Sequence, residues 1–203
     1  MLLTPFPEER LDPRVKRTRA LIENTFNHLL EEKGFSAITV QDITSHAEIN
    51  RATFYAHYAD KFALFESILR ARFRAEMDRR TLRTCTYDSH NLNALMETVC
   101  DFVALSASNC KGNDAQFEAI VEAQVRQQVQ AILEHWAGQI WPEDPSFNKD
   151  RSTAATWAIY GLAQQWSQIK PQQRQPSSQF TKRVLPMALA LLHAEPQTIS
   201  QVG

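Results

Sequence analysis

The sequence predicts an all-helical protein, made of a three-helix head at residues 1–60 and a second helical domain at residues 61–203. Only 5 of its 203 residues are glycine. The long stretches between proline and glycine carry apolar residues three and four positions apart, which puts them on one face of a helix. The pattern contains no convincing pair of strands.

The bulk composition limits what the protein can bind. Hydrophobic residues make up 43% and charged residues 22% of the chain, as in ordinary globular proteins. The formal net charge of −1 is not that of a protein coated in basic surface, so any nucleic-acid binding has to be local. A cation cluster taken alone is typical of a solvated helix face, and one lies near the start of the chain, at Arg14, Lys16, Arg17 and Arg19.

The first helix has clear start and stop signals. Asp12 is a good N-cap, and Pro13 fits the first turn, where its missing N–H costs nothing. Gly34 is expected to end the helix, because glycine readily takes the left-handed conformation found there. The predicted buried face consists of Ile22, Phe26, Leu29 and Leu30.

Two short helices and a longer one are predicted next. Thr39 begins a [ST]-x-x-[DE] capping box and opens a helix over about 40–47. Asn50 is a good N-cap for a third helix over about 51–57. Asp60 caps a fourth helix, whose predicted apolar stripe is Phe62, Phe65, Leu69 and Phe73.

Beyond residue 83 the sequence predicts four or more longer helices, at about 91–108, 114–139, 150–168 and 178–193. The last of them is apolar almost all round. Such a helix has to be covered on more than one side, which in a chain of this length indicates a partner subunit. We therefore expect a homodimer that pairs through the last two helices in an isologous four-helix interface.

The predicted third helix has the properties of a DNA-reading helix. Phe54 and Tyr58 lie four residues apart and can anchor on the head's core. Arg51, Ala52 and Tyr55 then lie on the opposite side, near the end that enters a major groove. Arg51 can fork onto guanine O6 and N7, Ala52 can touch a thymine methyl group, and Tyr55 can reach a base or a phosphate.

Phosphate contacts are expected around this helix, because they fix register without reading sequence. Four side chains at helix ends can donate hydrogen bonds to phosphate oxygens, namely Thr39, Thr53, His57 and Lys61. The cations Arg14, Lys16 and Arg17 at the start of the first helix are expected to add a salt-dependent contribution to binding.

Residues 39–61, TVQDITSHAEINRATFYAHYADK, resemble the motif of the TetR family of repressors. That motif runs as an Ile-Ala pair, an Ala-Gly-Val turn, Gly-Thr-x-Tyr-x-His-Phe, and a Ser-Lys pair that opens the fourth helix. The motif is long and specific, and the resemblance covers residues 14–69. Beyond residue 69, only the helical character and the length match.

The resemblance implies a repressor that binds double-stranded, palindromic operator DNA as a dimer and releases it when a small-molecule effector binds the regulatory C-terminal domain. Carried over by position, it implies that Gln41, Arg51, Ala52 and Tyr55 face base edges. It assigns phosphate contacts to Thr39, Thr53, His57 and Lys61.

Effector binding would draw on the aromatic residues of the second domain. The candidates are Phe102, Phe117, Trp136, Trp157, Tyr160 and Trp166, although aromatic residues at helical spacing are more often core. Gln164 can orient a ligand, and it can equally face solvent or the partner subunit.

Two positions depart from the family pattern. Glu48 stands where the turn usually has glycine, and a positive φ there costs a non-glycine residue on the order of 1 kcal/mol. Ala52 stands where glycine or proline is frequent, which leaves the family resemblance intact but weakens the base contact inferred there.

Other classes of protein have less support. An enzyme is not indicated, because the six histidines are scattered and neither an HExxH motif, a nucleophile elbow nor a glycine-rich phosphate loop is present. Three widely spaced cysteines, Cys85, Cys100 and Cys110, indicate neither a zinc site nor a disulfide framework. No cofactor is expected. A DNA-binding architectural or cell-division factor of the same fold remains open. Without a signal or membrane-spanning pattern, the chain is expected to be cytoplasmic.

Overall fold

The computed structural model describes residues 12–80, 86–109 and 114–195. Within these ranges the chain forms helices and connecting turns. The helices are α1 (Pro13–Lys33), α2 (Val40–His46), α3 (Arg51–Tyr55), α4 (Lys61–Arg79), α5 (Ser89–Asn109), α6 (Ala115–Ile140), α7 (Pro145–Ser167) and α8 (Ser177–Leu192). The all-helical prediction is confirmed.

The N-caps predicted for the first four helices are all present. Asp12 accepts from the N–H of Arg14 at 2.8 Å, and Asn50 accepts from the N–H of Thr53 at 2.7 Å. Asp60 caps α4, while Thr39 begins the complete capping box of α2. Each cap satisfies N–H groups that have no partner inside their own helix. These local signals therefore set where the helices of the head begin.

The head packs around side chains that are almost fully buried. Ile22 and Phe26 of α1, Ile43 of α2 and Phe54 of α3 are all inaccessible to solvent. Tyr58, just after α3, is buried too, and its hydroxyl group donates to the Glu23 carboxylate at 2.6 Å. The segment from α3 to Tyr58 is thus held against α1 by apolar contacts and one charge-assisted hydrogen bond.

The helix α4 joins the head, α1 to α3, to the bundle, which consists of α5 to α8. The Phe65 ring lies 5.6 Å from Phe26 of α1 and 5.1 Å from Phe117 of α6, measured between ring centroids. Phe62 does not belong to the buried stripe predicted for this helix, because it lies in the first turn with 39% of its surface exposed. Leu64 and Ile68 are buried on α4 instead.

The far end of α4 is tied to α5 by ion pairs. Arg80 donates to Glu76 at 2.9 Å and to Glu97 of α5 at 3.3 Å, and it also pairs closely with Asp101. Burial opposes the charged guanidinium, but the hydrogen bonds that it donates to Glu76 and Asp101 outweigh this effect and raise the pKa of Arg80. The carboxylates thus hold the last turn of α4 against the bundle.

The four bundle helices were located correctly, but α7 begins earlier than expected. The sequence predicts a linker through Pro145, whereas Pro145 is the first residue of α7 and Asp144 is its N-cap. Proline is well suited to that position, because its N–H would have no helical partner there. Near its start, α7 carries Arg151, which is buried and donates to the carbonyl of Leu192 at the end of α8 at 3.0 Å.

The helix α8 packs on α5 and α7 and still keeps an open side. Val184, Ala188 and Leu192 are buried, whereas Pro186 and Met187 are exposed. This side is where a partner subunit was predicted. None of the helices in the described ranges combines the length and the apolar character needed to cross a membrane.

Candidate nucleic-acid interface

The helix α3 presents the side chains that the sequence analysis placed outward. Phe54 is fully buried beneath it, whereas Arg51 and Ala52 are exposed and Tyr55 has 53% of its surface exposed. The Tyr55 ring meets Phe54 edge-on, with 5.5 Å between the ring centroids. This contact supports the base of the Tyr55 side chain and leaves its hydroxyl end outside. The outward face of α3 is as predicted, and its contacts with DNA stay predictions.

The turn between α2 and α3 contains the backbone strain expected from the sequence. Glu48 has φ of 52°, in the left-handed region that favours glycine. The N–H of Ile49 donates to the carbonyl of Thr44 at 3.1 Å, which closes the turn. The prediction of a positive φ at Glu48 is confirmed, and this turn sets the angle between α2 and α3.

The helix α2 is fixed at its start by a small polar network. The Thr39 hydroxyl group and backbone N–H both donate to Oδ2 of Asp42, at 2.6 and 2.8 Å. Lys33, at the end of α1, pairs with the same oxygen at 2.9 Å. The hydrogen bonds from Thr39 and Lys33 hold the pKa of the Asp42 carboxyl well below its usual range. A single carboxylate thus joins α1 to the cap of α2.

Several residues predicted to contact DNA make internal hydrogen bonds in this structure. The amide of exposed Gln41 donates to Ser45 Oγ at 2.9 Å. Thr53 donates its hydroxyl proton to Asn50 Oδ1 at 3.0 Å, as Thr39 does to Asp42. A phosphate contact from either threonine hydroxyl therefore requires the hydroxyl group to turn outward. His57 is partly buried, just beyond α3.

The structure does not support the phosphate contact predicted for Lys61. Its ammonium group donates to three carbonyl oxygens of the loop between α1 and α2, those of Phe35 at 3.1 Å, Ser36 at 3.3 Å and Ile38 at 2.8 Å. An ammonium group has three donors, so none is left for a phosphate. Burial lowers the pKa of Lys61, and the nearby Asp114 carboxylate opposes that shift. We therefore assign Lys61 to bracing this loop.

The basic residues at the start of α1 are placed as predicted. Arg14, Lys16 and Arg17 are all exposed, on the first turns of the helix. Arg19 points back into the head, with its guanidinium carbon 5.6 Å from the centre of the Tyr58 ring. Three of the four cations in this cluster therefore face solvent, which is a requirement for the salt-dependent contribution expected of them.

The seven residues considered for an effector pocket do not form one enclosed set, because Trp157 and Gln164 are exposed. Phe102 packs edge-on against Phe73 of α4, and Phe117 stacks on Phe65 of the same helix. Trp157 is 52% exposed beneath the Arg126 guanidinium, whose carbon lies 3.9 Å from the ring centre. Gln164 is exposed and Tyr160 is buried. Phe102 of α5 and Phe117 of α6 are buried in the core, as is usual for aromatic residues at helical spacing.

The sequence analysis missed the polar contacts that orient the head. Ser36 binds Asp114, 78 residues further along the chain, and Tyr58 binds Glu23. An aspartate before a predicted helix signals an N-cap, and Asp114 is one. Nothing in a single sequence indicates that the same carboxylate also reaches the loop after α1.

The comparisons with known proteins agree with this arrangement. Residues 27–68 match the family described as bacterial regulatory proteins, tetR family. Over 76 residues, the chain is 38% identical to YxbF of Bacillus subtilis, an HTH-type transcriptional regulator. The match takes in 37% of this chain and only 20% of that relative, so it concerns one part of YxbF.

Solved structures share the fold over most of the chain. A TetR transcriptional regulator from Streptococcus agalactiae superposes with a TM-score of 0.51 at 19% identity, covering 86% of this chain and 95% of the other. A TetR-family regulator from Syntrophomonas wolfei gives 0.53 at 15% identity, covering 90% and 98%. GusR of Salmonella enterica gives 0.52 at 14% identity, covering 92% and 100%. The head thus matches the tetR family over residues 27–68, and the chain shares its fold with these solved regulators.

Proposed function

We propose that this protein is a repressor that binds a palindromic operator as a homodimer and releases it when a small molecule binds the helical bundle. The observation that carries the DNA-binding part is the orientation of α3. Its apolar side, at Phe54, is fully buried, and its polar side is presented to solvent. A short, rigidly supported helix of this kind fits a major groove.

The reading residues are proposed to be Arg51, Ala52, Tyr55 and Gln41. Arg51 begins α3 and has the geometry to donate two parallel hydrogen bonds to guanine. Ala52 is small enough for the helix backbone to come close to a base pair. Gln41 lies on the exposed side of α2 and can reach a base edge once it leaves Ser45.

Contacts with the DNA backbone are proposed for Thr39, Thr53 and His57, and for the exposed cations Arg14, Lys16 and Arg17 of α1. Lys61 is left out of this set because its three donors bind loop carbonyls. The two threonines lie at the starts of α2 and α3, where backbone N–H groups also favour an anion. Each cation that meets a phosphate adds to the salt dependence of binding.

Dimer formation is proposed through the outer sides of α7 and α8. Apolar side chains are exposed there, with 52% exposure at Trp157 and 58% at Met187. Gly161 of α7 has open space around it, which allows a close approach of another helix. Two heads paired in this way would place their reading helices about 34–36 Å apart, one turn of DNA.

The functional division of the chain is proposed to follow the predicted boundary, with residues 1–60 reading DNA and residues 61–203 serving regulation and dimer formation. The helix α4 is shared physically, because Phe65 contacts both Phe26 and Phe117. A shift of the bundle around an effector would therefore reach the head through α4, and it would lower operator affinity by as much as the effector prefers the shifted state.

The bundle interior is the proposed effector site. Four buried polar atoms of α6, α7 and α8 have no hydrogen-bond partner among the residues that the structure describes, namely Gln124 Oε1, Ser152 Oγ, Thr156 Oγ1 and Thr181 Oγ1. Leaving such a group unpaired costs about 1–3 kcal/mol. A polar small molecule between these helices would offset part of that cost by forming the missing hydrogen bonds.

The decisive experiment is selection of bound sequences from random double-stranded DNA with the purified full chain. The proposal predicts an enriched palindrome whose half-sites are one helical turn, or a small multiple of it, apart. Failure to enrich any sequence would contradict the DNA-reading role. A subsequent screen of small molecules against the enriched DNA tests release. If no compound lowers affinity, the effector part fails and a regulator without a ligand remains.

A further inference from the structure

The loop between α1 and α2 is tied directly to the start of α6. The backbone N–H of Ser36 donates to Oδ2 of Asp114 at 2.8 Å, and the Ser36 hydroxyl group donates to Oδ1 at 2.8 Å. Oδ1 also accepts from the N–H of Phe117 at 3.1 Å, which caps α6. One carboxylate thus caps a bundle helix and holds the head at the same time.

Lys61 holds the same loop through its carbonyl groups. Its ammonium group donates to the carbonyl of Ser36, and also to those of Phe35 and Ile38. Every hydrogen-bonding group of Ser36 is therefore engaged by a residue outside the loop, its donors by Asp114 and its carbonyl by Lys61. The loop has little freedom to move independently of α4 and α6.

An apolar contact chain supports this arrangement. The ring of Phe35, next to Ser36, lies 5.1 Å from Phe65, which in turn lies 5.1 Å from Phe117 near the start of α6. The polar bonds and the ring contacts both run from the loop to the same end of α6. Since α2 begins only five residues after Phe35, the position of this loop fixes where α2 starts.

We propose that Asp114 is a positioning residue for the DNA-reading head. It makes the N-terminal turn of α6 and the loop before α2 move as one unit, so that the two heads of a dimer keep a defined separation. This inference rests on the proposed function for the role of the separation, but the contact itself belongs to the free protein. A donor and acceptor about 3.6 Å apart no longer form a hydrogen bond, so a displacement of α6 by about 1 Å would release the loop.

The sharpest variant is Asp114→Asn. Asparagine is as good an N-cap as aspartate, so it keeps the cap on α6. It has one acceptor oxygen in place of two, and its NH₂ group faces a donor of Ser36. The matched control is Asp144→Asn, the same change at the cap of α7, where Oδ1 accepts from the N–H of Phe147 at the same 3.1 Å.

Hydrogen exchange of the full-length protein tests the contact without DNA. Asp114→Asn is expected to speed exchange of the Ser36 amide by about tenfold and to speed exchange in the residues that follow it, whereas Asp144→Asn leaves this segment unchanged. An unchanged exchange rate in the Asp114 variant would overturn the proposal.

Operator spacing tests the positioning role. With DNA enriched by the wild-type protein, one base pair is added or removed between the half-sites. Wild type and Asp144→Asn are expected to lose affinity sharply, while Asp114→Asn discriminates at least fivefold less between the spacings. Equal discrimination by all three proteins would make Asp114 a purely structural residue and overturn the inference. Failure of the wild type to enrich any DNA would instead contradict the proposed function. The exchange measurement would still test the contact between Ser36 and Asp114.

Discussion

The Tyr58 hydroxyl group, just after α3, donates to the Glu23 carboxylate of α1 at 2.6 Å. Burial, together with this carboxylate, raises the pKa of Tyr58, so the phenol stays protonated and keeps its donor. Phe54 is buried nearby, with its ring centroid 6.1 Å from that of Tyr58. The orientation of α3 is therefore fixed both by apolar packing and by a specific hydrogen bond.

Tyr58→Phe is expected to lower the free energy of unfolding by about 1–2 kcal/mol, because it removes a hydrogen bond to a charged group and keeps the ring. Denaturant titration measures the effect. Tyr55→Phe makes the same chemical change on the exposed side of the helix and is expected to leave stability unchanged. Equal stability of all three proteins would show that the Tyr58 hydrogen bond contributes nothing net.

Arg51→Ala and Tyr55→Ala are each expected to weaken binding to the enriched operator by roughly 1–3 kcal/mol. Both side chains are exposed, so the thermal unfolding midpoint should not change. Lys149→Ala, which removes an exposed cation at the start of α7, serves as the control and is expected to bind normally. Normal operator affinity in both test variants would place the reading face elsewhere on the head.

The sequence contained most of the information about the head, because that information is local. Caps at Asp12, Thr39, Asn50 and Asp60 lie beside the groups they satisfy, so a single sequence reveals them. The positive φ at Glu48 was expected from the family resemblance, because the motif usually has glycine at that position of the turn. The outward side of α3 followed from the spacing of its apolar residues.

Contacts between distant parts of the chain were not predictable. Lys61 lies where a phosphate contact was expected, yet carbonyl groups more than twenty residues earlier take its donors. The surroundings of the candidate pocket residues were not predictable for a related reason. Aromatic spacing on a helix shows that a residue is buried or exposed, but it does not show which helix it will meet, and Phe102 and Phe117 meet α4.

Glu48→Gly is expected to stabilise the protein by roughly 0.5–1 kcal/mol, because glycine adopts positive φ without strain, although it also loses more entropy on folding. Thermal or denaturant unfolding measures the gain. Glu48→Ala removes the same charge and keeps the Cβ atom, so it should stay close to wild type. A gain of similar size in the alanine variant would attribute the effect to the lost carboxylate rather than to the backbone.

The capping network of α2 makes stability depend on pH in a defined window. The pKa of Asp42 is lowered in the folded protein by its bonds with Thr39 and Lys33. Its contribution is therefore complete above the unfolded pKa of about 3.9, and it is lost as pH falls through the lower folded value. Asp42→Asn should be less stable than wild type at pH 7. The difference in free energy of unfolding between the two proteins should become smaller as pH falls below about 4.

Thr39→Ala provides an independent check on this network. Removal of the capping hydroxyl is expected to lower stability by about 1 kcal/mol at pH 7, and the same variant should lose part of the acid sensitivity seen in wild type. Urea titrations at pH 7, 5, 4 and 3 follow both variants. A stability gap between wild type and Asp42→Asn that stays constant over this range would contradict the lowered pKa of Asp42.

Removing the charge of Lys61 is expected to change folding stability, whereas removing the charge of Lys16 is expected to change the salt dependence of DNA binding. Lys61→Met keeps the apolar stem and removes one donor from each of three loop carbonyl groups, so it should lower the free energy of unfolding by about 1–3 kcal/mol with no change in the salt slope of DNA binding. Lys16→Met removes an exposed cation, so stability should stay the same while the slope falls by about 1. Operator titrations over a range of salt concentrations, paired with denaturant unfolding, distinguish the two. A reduced salt slope with unchanged stability in Lys61→Met would show that Lys61 contacts a phosphate and would contradict the bracing role. An ammonium group that reaches DNA has to leave the carbonyl groups of Phe35, Ser36 and Ile38.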